Sequence, residues 1–276
     1  MDTYERSCAH WSESARDEME SFYALATIDY RYLAESRDWS RWLHDHQTRV
    51  ATDRLRLLDV ACGSGKFPSA LLEVVDGMSQ LPDIQYDLLD PSAFSIAETR
   101  QVLRPPFVAD RELPIPLQAL DTVDQYDVAW ATHALYAVPA EELEAALDRL
   151  LRAVRPGGEI FIAHAHRDGH YVAFYQRFLN DFRDGRGTPY CAVEDIVAAF
   201  ERLGVTCTVQ TLDYENGAAA SAADTIEGYL QRCVFDSSID LPALMRAPST
   251  GAYLSECRRD DQWRFRQRVG LLTVRL

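Results

Sequence analysis

Leu57-Leu58-Asp59-Val60-Ala61-Cys62-Gly63-Ser64-Gly65-Lys66-Phe67 is the stretch on which the reading of this chain turns. A short apolar run enters Gly-x-Gly, and the turn opens into a segment with helical spacing. Such a run, bounded by turn residues, reads as a buried parallel strand feeding a helix. Glycine permits the sharp turn and lets a ligand approach the main chain without meeting a Cβ. Two features separate this loop from the dinucleotide fingerprint: Pro68 stands where a third glycine would be, and Asp59 precedes the turn. Pyrophosphate is held by glycines and a bare helix N-terminus. A carboxylate just ahead of the loop suits a cationic ligand instead.

Outward from the loop the chain alternates strand and helix. Toward the C-terminus, strands are expected at Ile84 to Asp90 (IQYDLLD), near Leu117, at Tyr126 to Ala131 (YDVAWA), at Glu159 to Ala163 (EIFIA), at Val205 to Asp213 and at Trp263 to Leu276. Between them, Leu143, Ala146, Leu147, Leu150, Leu151 and Val154 mark one apolar helical face, ended by Pro156-Gly157-Gly158. Residues 4–50 read as helices rich in aromatics, among them Trp11, Phe22, Tyr23, Tyr30, Trp39 and Trp42. This order predicts an α/β fold: a Rossmann-like, mostly parallel sheet with helices on both faces and an antiparallel edge strand. Helical lid additions are expected at the N-terminal and C-terminal sides. Residues 1–52 would form the N-terminal helical lid. Residues 53–276 would form the ligand-binding domain, with a helical insertion at about 218–260.

Composition narrows the chemistry. The 276 residues carry a formal charge of −15, with no basic run. Such a surface repels phosphate backbones, which argues against nucleic acid and mildly favours a neutral or cationic small partner. The six cysteines, Cys8, Cys62, Cys191, Cys207, Cys233 and Cys257, form no C-x-x-C pair, so neither a zinc site nor a disulfide framework is expected, and a cytoplasmic setting fits. No apolar run is long enough to span a bilayer, and the N-terminal residues lack the apolar core of a secretory signal. Lys66, the only lysine, lies in the glycine turn, which argues against a Schiff-base role.

The h-h-D-h-x-x-G-x-G block LLDVACGSG resembles the class I S-adenosylmethionine (SAM)-dependent methyltransferase family. The resemblance covers about residues 55–165 and includes the acidic end of the second strand, Asp90 in YDLLDPS, and the VRPGGEIFIA turn and strand. It implies SAM as the cofactor. Asp59, Gly63 and Gly65 would face its methionine part and Asp90 its ribose, where a carboxylate suits a vicinal diol. Leu120 and Asp121 would lie by the adenine. Segments before the first strand often fold over the cofactor in this family, which makes Tyr30 and Arg31 candidates for shielding the sulfonium and clamping the carboxylate. Each reads equally as packing.

Candidate catalytic residues follow the strand ends that line the crevice in such folds. His133 and Tyr136 close the fourth strand. Tyr171 and Tyr175, four apart on one helix, share a face and with Tyr136 would make an aromatic wall able to stabilise a cation. A core face built with Phe174 and Phe178 explains the same spacing. His164, His166 and His170 suggest a general base more than a metal site, because Glu and Cys at ligand spacing are missing. The reading that results is an enzyme transferring a methyl group from SAM to a small-molecule nucleophile, in specialised metabolism, with no nucleic-acid or membrane partner. Two alternatives stay open: cyclisation of SAM to azetidine-2-carboxylate with release of methylthioadenosine, and a non-catalytic SAM-binding module. Sequence says nothing of the acceptor or the oligomeric state.

Overall fold

The computed structural model describes residues 3–49 and 54–276. The boundary expected at 52–53 lies outside the described residues. Three helices come first: α1 (Thr3–His10), α2 (Arg16–Glu35) and α3 (Trp39–Arg49). The alternating part follows as β1 (Arg56–Val60), α4 (Lys66–Val74), β2 (Ile84–Leu89), α5 (Ala93–Val102), β3 (Phe107–Leu113), β4 (Tyr126–Thr132), α6 (Ala140–Ala153) and β5 (Val154–Ala165). Then come α7 (His170–Phe182), α8 (Val193–Arg202), β6 (Thr208–Ala219), α9 (Ala223–Val234), α10 (Leu241–Arg246), α11 (Pro248–Cys257), β7 (Arg258–Arg259) and β8 (Gln262–Arg275).

The sheet runs β3-β2-β1-β4-β5-β8-β6, with the short β7 pairing β8. Strands β1 to β5 are parallel; β8 runs antiparallel to both β5 and β6, so an antiparallel pair forms that margin of the sheet. This is the Rossmann-like sheet that the alternation implies. Its strand order reverses between β1 and β4, and the carboxyl ends of strands at such a reversal open the crevice where ligands bind.

Side chains alternate between two faces, as the pleat requires. Leu58, Ala129, Ile160 and Leu272 pack under α6 and α8. Leu57, Trp130, Phe161 and Leu271 pack under α2 to α5. Trp39 at the start of α3 is fully buried, edge-on to Phe161 at 4.9 Å and to Phe67 at 5.2 Å, and its indole N–H donates to the Leu33 carbonyl at 3.0 Å. The N-terminal helices are thus a layer of the core as well as a cover. A third apolar cluster joins α2, α7, α9 and α11 above the strand ends.

One strand differs from its expected place. β3 is Phe107–Leu113, and Leu117 lies in a 3-10 turn after Pro116. As an edge strand, β3 buries little beyond Phe107, so its sequence lacks the apolar run that marks the inner strands.

Candidate functional site

A cavity opens at the carboxyl ends of β1, β2, β4 and β5, roofed by α1, the middle of α2 and the end of α9. The strand ends that shape it are bent: Ala61 just past β1 and His133 just past β4 both have positive φ, +52° and +54°. Non-glycine residues held there tend to mark functional sites.

Gly63 and Gly65 serve the turn differently. Both are left-handed, at φ +57° and +69°. A Cβ on Gly65 would fall 2.5 Å from Val102 Cγ2, so that glycine lets α4 and α5 approach. A Cβ on Gly63 would meet nothing closer than 4.0 Å, where the Tyr23 hydroxyl stands across the cavity. It would occupy ligand space.

Two buried carboxylates flank this loop. Asp90 Oδ2 accepts the Gly63 N–H at 3.0 Å and Oδ1 accepts the Ser92 N–H at 2.8 Å. Burial raises its pKa to about 6 against those two bonds. Ser92 in turn caps α5 and donates to the Trp11 carbonyl at 2.6 Å, which ties the loop to the roof. Asp59, 3 % exposed, accepts from the Tyr86 hydroxyl at 2.6 Å, and burial raises its pKa to about 7.

The opposite wall is aromatic. The Tyr30 ring stands edge-to-face with His133 at 5.8 Å, and Tyr171 lies 6.5 Å from His133. The Tyr171 hydroxyl donates to Asp29 Oδ2 at 2.5 Å, and Asn216 Nδ2 reaches Asp29 Oδ1 at 3.3 Å. Burial lifts Asp29 to about 7, a carboxyl on α2 poised near neutrality inside the cavity wall. The Tyr136 hydroxyl accepts from Trp11 Nε1 at 2.7 Å and is hydrogen-bonded to Ser7 Oγ at 2.8 Å.

The structure therefore brings Tyr30, Asp59, Gly63, Asp90, His133, Tyr136 and Tyr171 to one cavity. It places five expected residues elsewhere. Gly65 packs against α5, as above. Arg31, with its side chain 66 % exposed, pairs with Glu35 one turn along α2 and points away from the cavity. Tyr175 is stacked on Tyr190 at 3.7 Å, with its hydroxyl bonded to Thr3 Oγ1 at 2.9 Å; one turn past Tyr171, it lies under α1 in the core. Leu120 is buried in the sheet core and Asp121 is exposed, whereas Pro116, Leu117 and Gln118 line the cavity just before them. The wall is thus Tyr30, Tyr136 and Tyr171, without Tyr175.

The histidines do not supply a strong base. Burial drives His133 and His170 to about 3 and His164 to about 4. His170 donates into or accepts from the Tyr253 hydroxyl outside the cavity, His164 is bonded to the Cys191 carbonyl, and His166 pairs with Glu194 near the surface. Among the described residues no cluster of His, Cys, Asp or Glu could hold a metal, and no helix is long and apolar enough to cross a membrane. Asp29, Trp11, Tyr23 and Arg232 line the cavity without having been singled out in the sequence. The aromatic density of residues 4–50 was the available signal for two of them, Trp11 and Tyr23.

The residues present fit SAM. An open cradle at Gly63, an acidic strand end at Asp90 beside it, and aromatic faces across the cavity suit a nucleoside bearing a sulfonium and an amine. A family model described as a methyltransferase domain matches residues 58–160. No curated protein matches the chain in sequence. Among solved structures, the magnesium protoporphyrin IX methyltransferase of Synechocystis with bound SAH is 14 % identical with a TM-score of 0.58, each chain covered fully. The same enzyme with bound SAM is 12 % identical with a TM-score of 0.56, over 100 % of this chain and 98 % of that one. The YcgJ protein of Bacillus subtilis is 12 % identical with a TM-score of 0.53, over 87 % of this chain and 99 % of that one. At such identities the likeness is one of fold. The matched span, the sheet order and the cavity agree: residues 58–160 match a methyltransferase domain, set in a Rossmann-like sheet whose cavity fits SAM.

Proposed function

We propose that the chain transfers a methyl group from SAM to a small-molecule nucleophile, with Tyr171 and Asp29 taking the proton that the acceptor sheds. The observation that carries this reading is the Tyr171–Asp29 bond at 2.5 Å in the wall opposite the Gly63 loop. In this reading Asp90 accepts from the ribose hydroxyls, Asp59 meets the amino end, and Pro116 to Gln118 bound the adenine; all line the cavity. When bound, the cofactor supplies an electrophilic methyl carbon on a positive sulfur. The chain aligns the acceptor, excludes water with Tyr30, Tyr136 and Tyr171, and offers π-faces to positive charge. A proton leaving the acceptor passes to the Tyr171 oxygen as the Tyr171 proton moves to Asp29. His133, neutral at working pH, serves as a hydrogen-bonding wall group. The N-terminal helices and α9 act together as the lid over this site.

The acidic surface supports a small molecule over nucleic acid, and six free thiols support a reducing, cytoplasmic setting. Specialised metabolism is the setting we favour for such an acceptor.

Product analysis tests the reading. The full chain is incubated with SAM alone and with a panel of amine, hydroxyl and carbon nucleophiles. Adenosylhomocysteine formed only with an acceptor is the expected result. Methylthioadenosine from SAM alone would replace transfer by azetidine-2-carboxylate formation. SAM binding with neither product would leave a binding module.

A further inference from the structure

α9 carries Arg232 into the cavity roof, with a side chain only 1 % exposed. None of its three guanidinium nitrogens has a hydrogen-bond partner among the described residues. The nearest carboxylate, Glu18, is 3.8 Å away, and the same oxygen already holds His10 Nδ1 at 2.7 Å. What surrounds the guanidinium is aromatic: its carbon lies 4.2 Å from the Trp11 ring centre and 5.3 Å from that of Phe235, with the Tyr136, Tyr23 and Tyr190 phenols near its charge. A buried guanidinium with unspent donors is unfavourable and persists where a ligand completes it.

The cavity holds a second cation. Lys66 follows the Gly63 loop directly, with its ammonium 4.5 Å from the Tyr23 ring centre. In the reading above, the loop that carries it faces the methionine part of the cofactor. Arg232 stands with α1, Trp11 and Tyr136 instead. Its planar fork is made for bidentate contact with a carboxylate, and stacking on Trp11 fixes the plane while leaving the edge to a partner. We infer that Arg232 binds a carboxylate of the methyl acceptor, so the substrate class is a small, flat carboxylic acid gripped between aromatic faces. This rests on the transfer reading above. The −15 overall charge pointed to a neutral or cationic partner, and Asp29, Asp59 and Asp90 also line the cavity; its Arg232 end is the cationic, aromatic part. Trp11 lies on the short link between α1 and the following 3-10 turn, so displacing that link uncovers the fork without disturbing the sheet.

Calorimetry on the full chain tests this with defined probes. Adenosylhomocysteine is titrated first; failure to bind would sink the transfer reading itself. The saturated protein is then titrated with benzoate, 4-hydroxybenzoate and indole-3-acetate, each against its neutral amide. At least one acid should bind better than its amide. Arg232→Gln should weaken that acid about tenfold or more and spare the amide, and Arg232→Lys should recover part of the loss. Adenosylhomocysteine affinity should stay within about twofold of the parent. Three results overturn the inference: no acid preferred over its amide, equal loss for acid and amide, or lost affinity for adenosylhomocysteine with methylthioadenosine unaffected. The last would give Arg232 to the cofactor's own carboxylate. If Arg232→Gln does not fold, the acid-to-amide ratio of the parent and of Arg232→Lys decides.

Discussion

Asp29 ionises near neutrality within hydrogen-bonding reach of a phenol that faces the cavity. As proton acceptor it must be ionised, so kcat should climb with pH through about 7 and level off above. Asp29→Asn should remove that limb and lower kcat by about 10²-fold or more, while cofactor affinity holds. Asp90 ties the Gly63 loop to the turn that starts α5, and Asp90→Ala should weaken adenosylhomocysteine binding by about 1.5–3 kcal/mol in calorimetry. A change below about threefold would mean that Asp90 does not hold the ribose. Legibility at this scale followed distance along the chain. Asp59, Gly63 and Asp90 are defined by local turn and strand-end chemistry and could be read directly. Asp29 could not: an acid in a helix is ordinary, and its partner Tyr171 lies 142 residues away. Tyr175 shows the complementary error. Spacing puts it on the face of Tyr171, but only packing decides that the face turns from cavity to core within one turn.

At the scale of elements, α3 carries a tryptophan that four rings surround at the centre of the sheet face. Trp39→Ala should cost about 3–5 kcal/mol, read from urea midpoints. A detachable lid would instead lose little stability and much cofactor affinity. The same helix is pinned by Glu159, which takes the Trp42 N–H at 2.9 Å and Arg275 Nε at 3.1 Å, with His46 Nε2 at 3.6 Å. Inner strands were legible because burial on both faces demands continuous apolar runs. β3 escaped because an exposed edge does not. The insertion of helices between β6 and β8 was legible in composition, yet its wrapping over the strand ends depends on contacts with α2 that no local pattern encodes.

For the whole molecule, buried acids and buried histidines together set the response to pH. Asp29 and Asp59 are raised to about 7 and Asp90 to about 6, all mainly by burial. Between about pH 4 and 7 these acids keep protons in the folded chain that the unfolded chain has lost, a contribution that falls as pH rises. The buried His133, His164 and His170, held at about 3 to 4, have given up protons that the unfolded chain keeps to about 6.5, a contribution that rises with pH over that range. Glu159 works the other way. Burial pushes its carboxyl up, but the nearby His46 ring and hydrogen bonds from Trp42 and Arg275 outweigh this and bring it to about 2, giving stability that is lost as pH falls below about 4. The buried acids and the buried histidines oppose each other up to about pH 6.5, so urea midpoints of the ligand-free chain should change little between about pH 5 and 6 and decline from about 6.5 toward 8, and Asp59→Asn should flatten the decline. A midpoint rising steadily from pH 5 to 8 would contradict the burial of these acids. The placement of Lys66 has a consequence outside catalysis. Every other side-chain cation of the Lys and Arg class is an arginine, so one side-chain amine stands on the whole surface, half-buried at the lip of the cofactor cavity. Acylating reagents used for dye attachment or surface immobilisation have that single side chain to find. Conjugation chemistry that is harmless on lysine-rich proteins would here arrive at the cofactor's door, and protection from labelling becomes a direct gauge of how much of the protein is loaded.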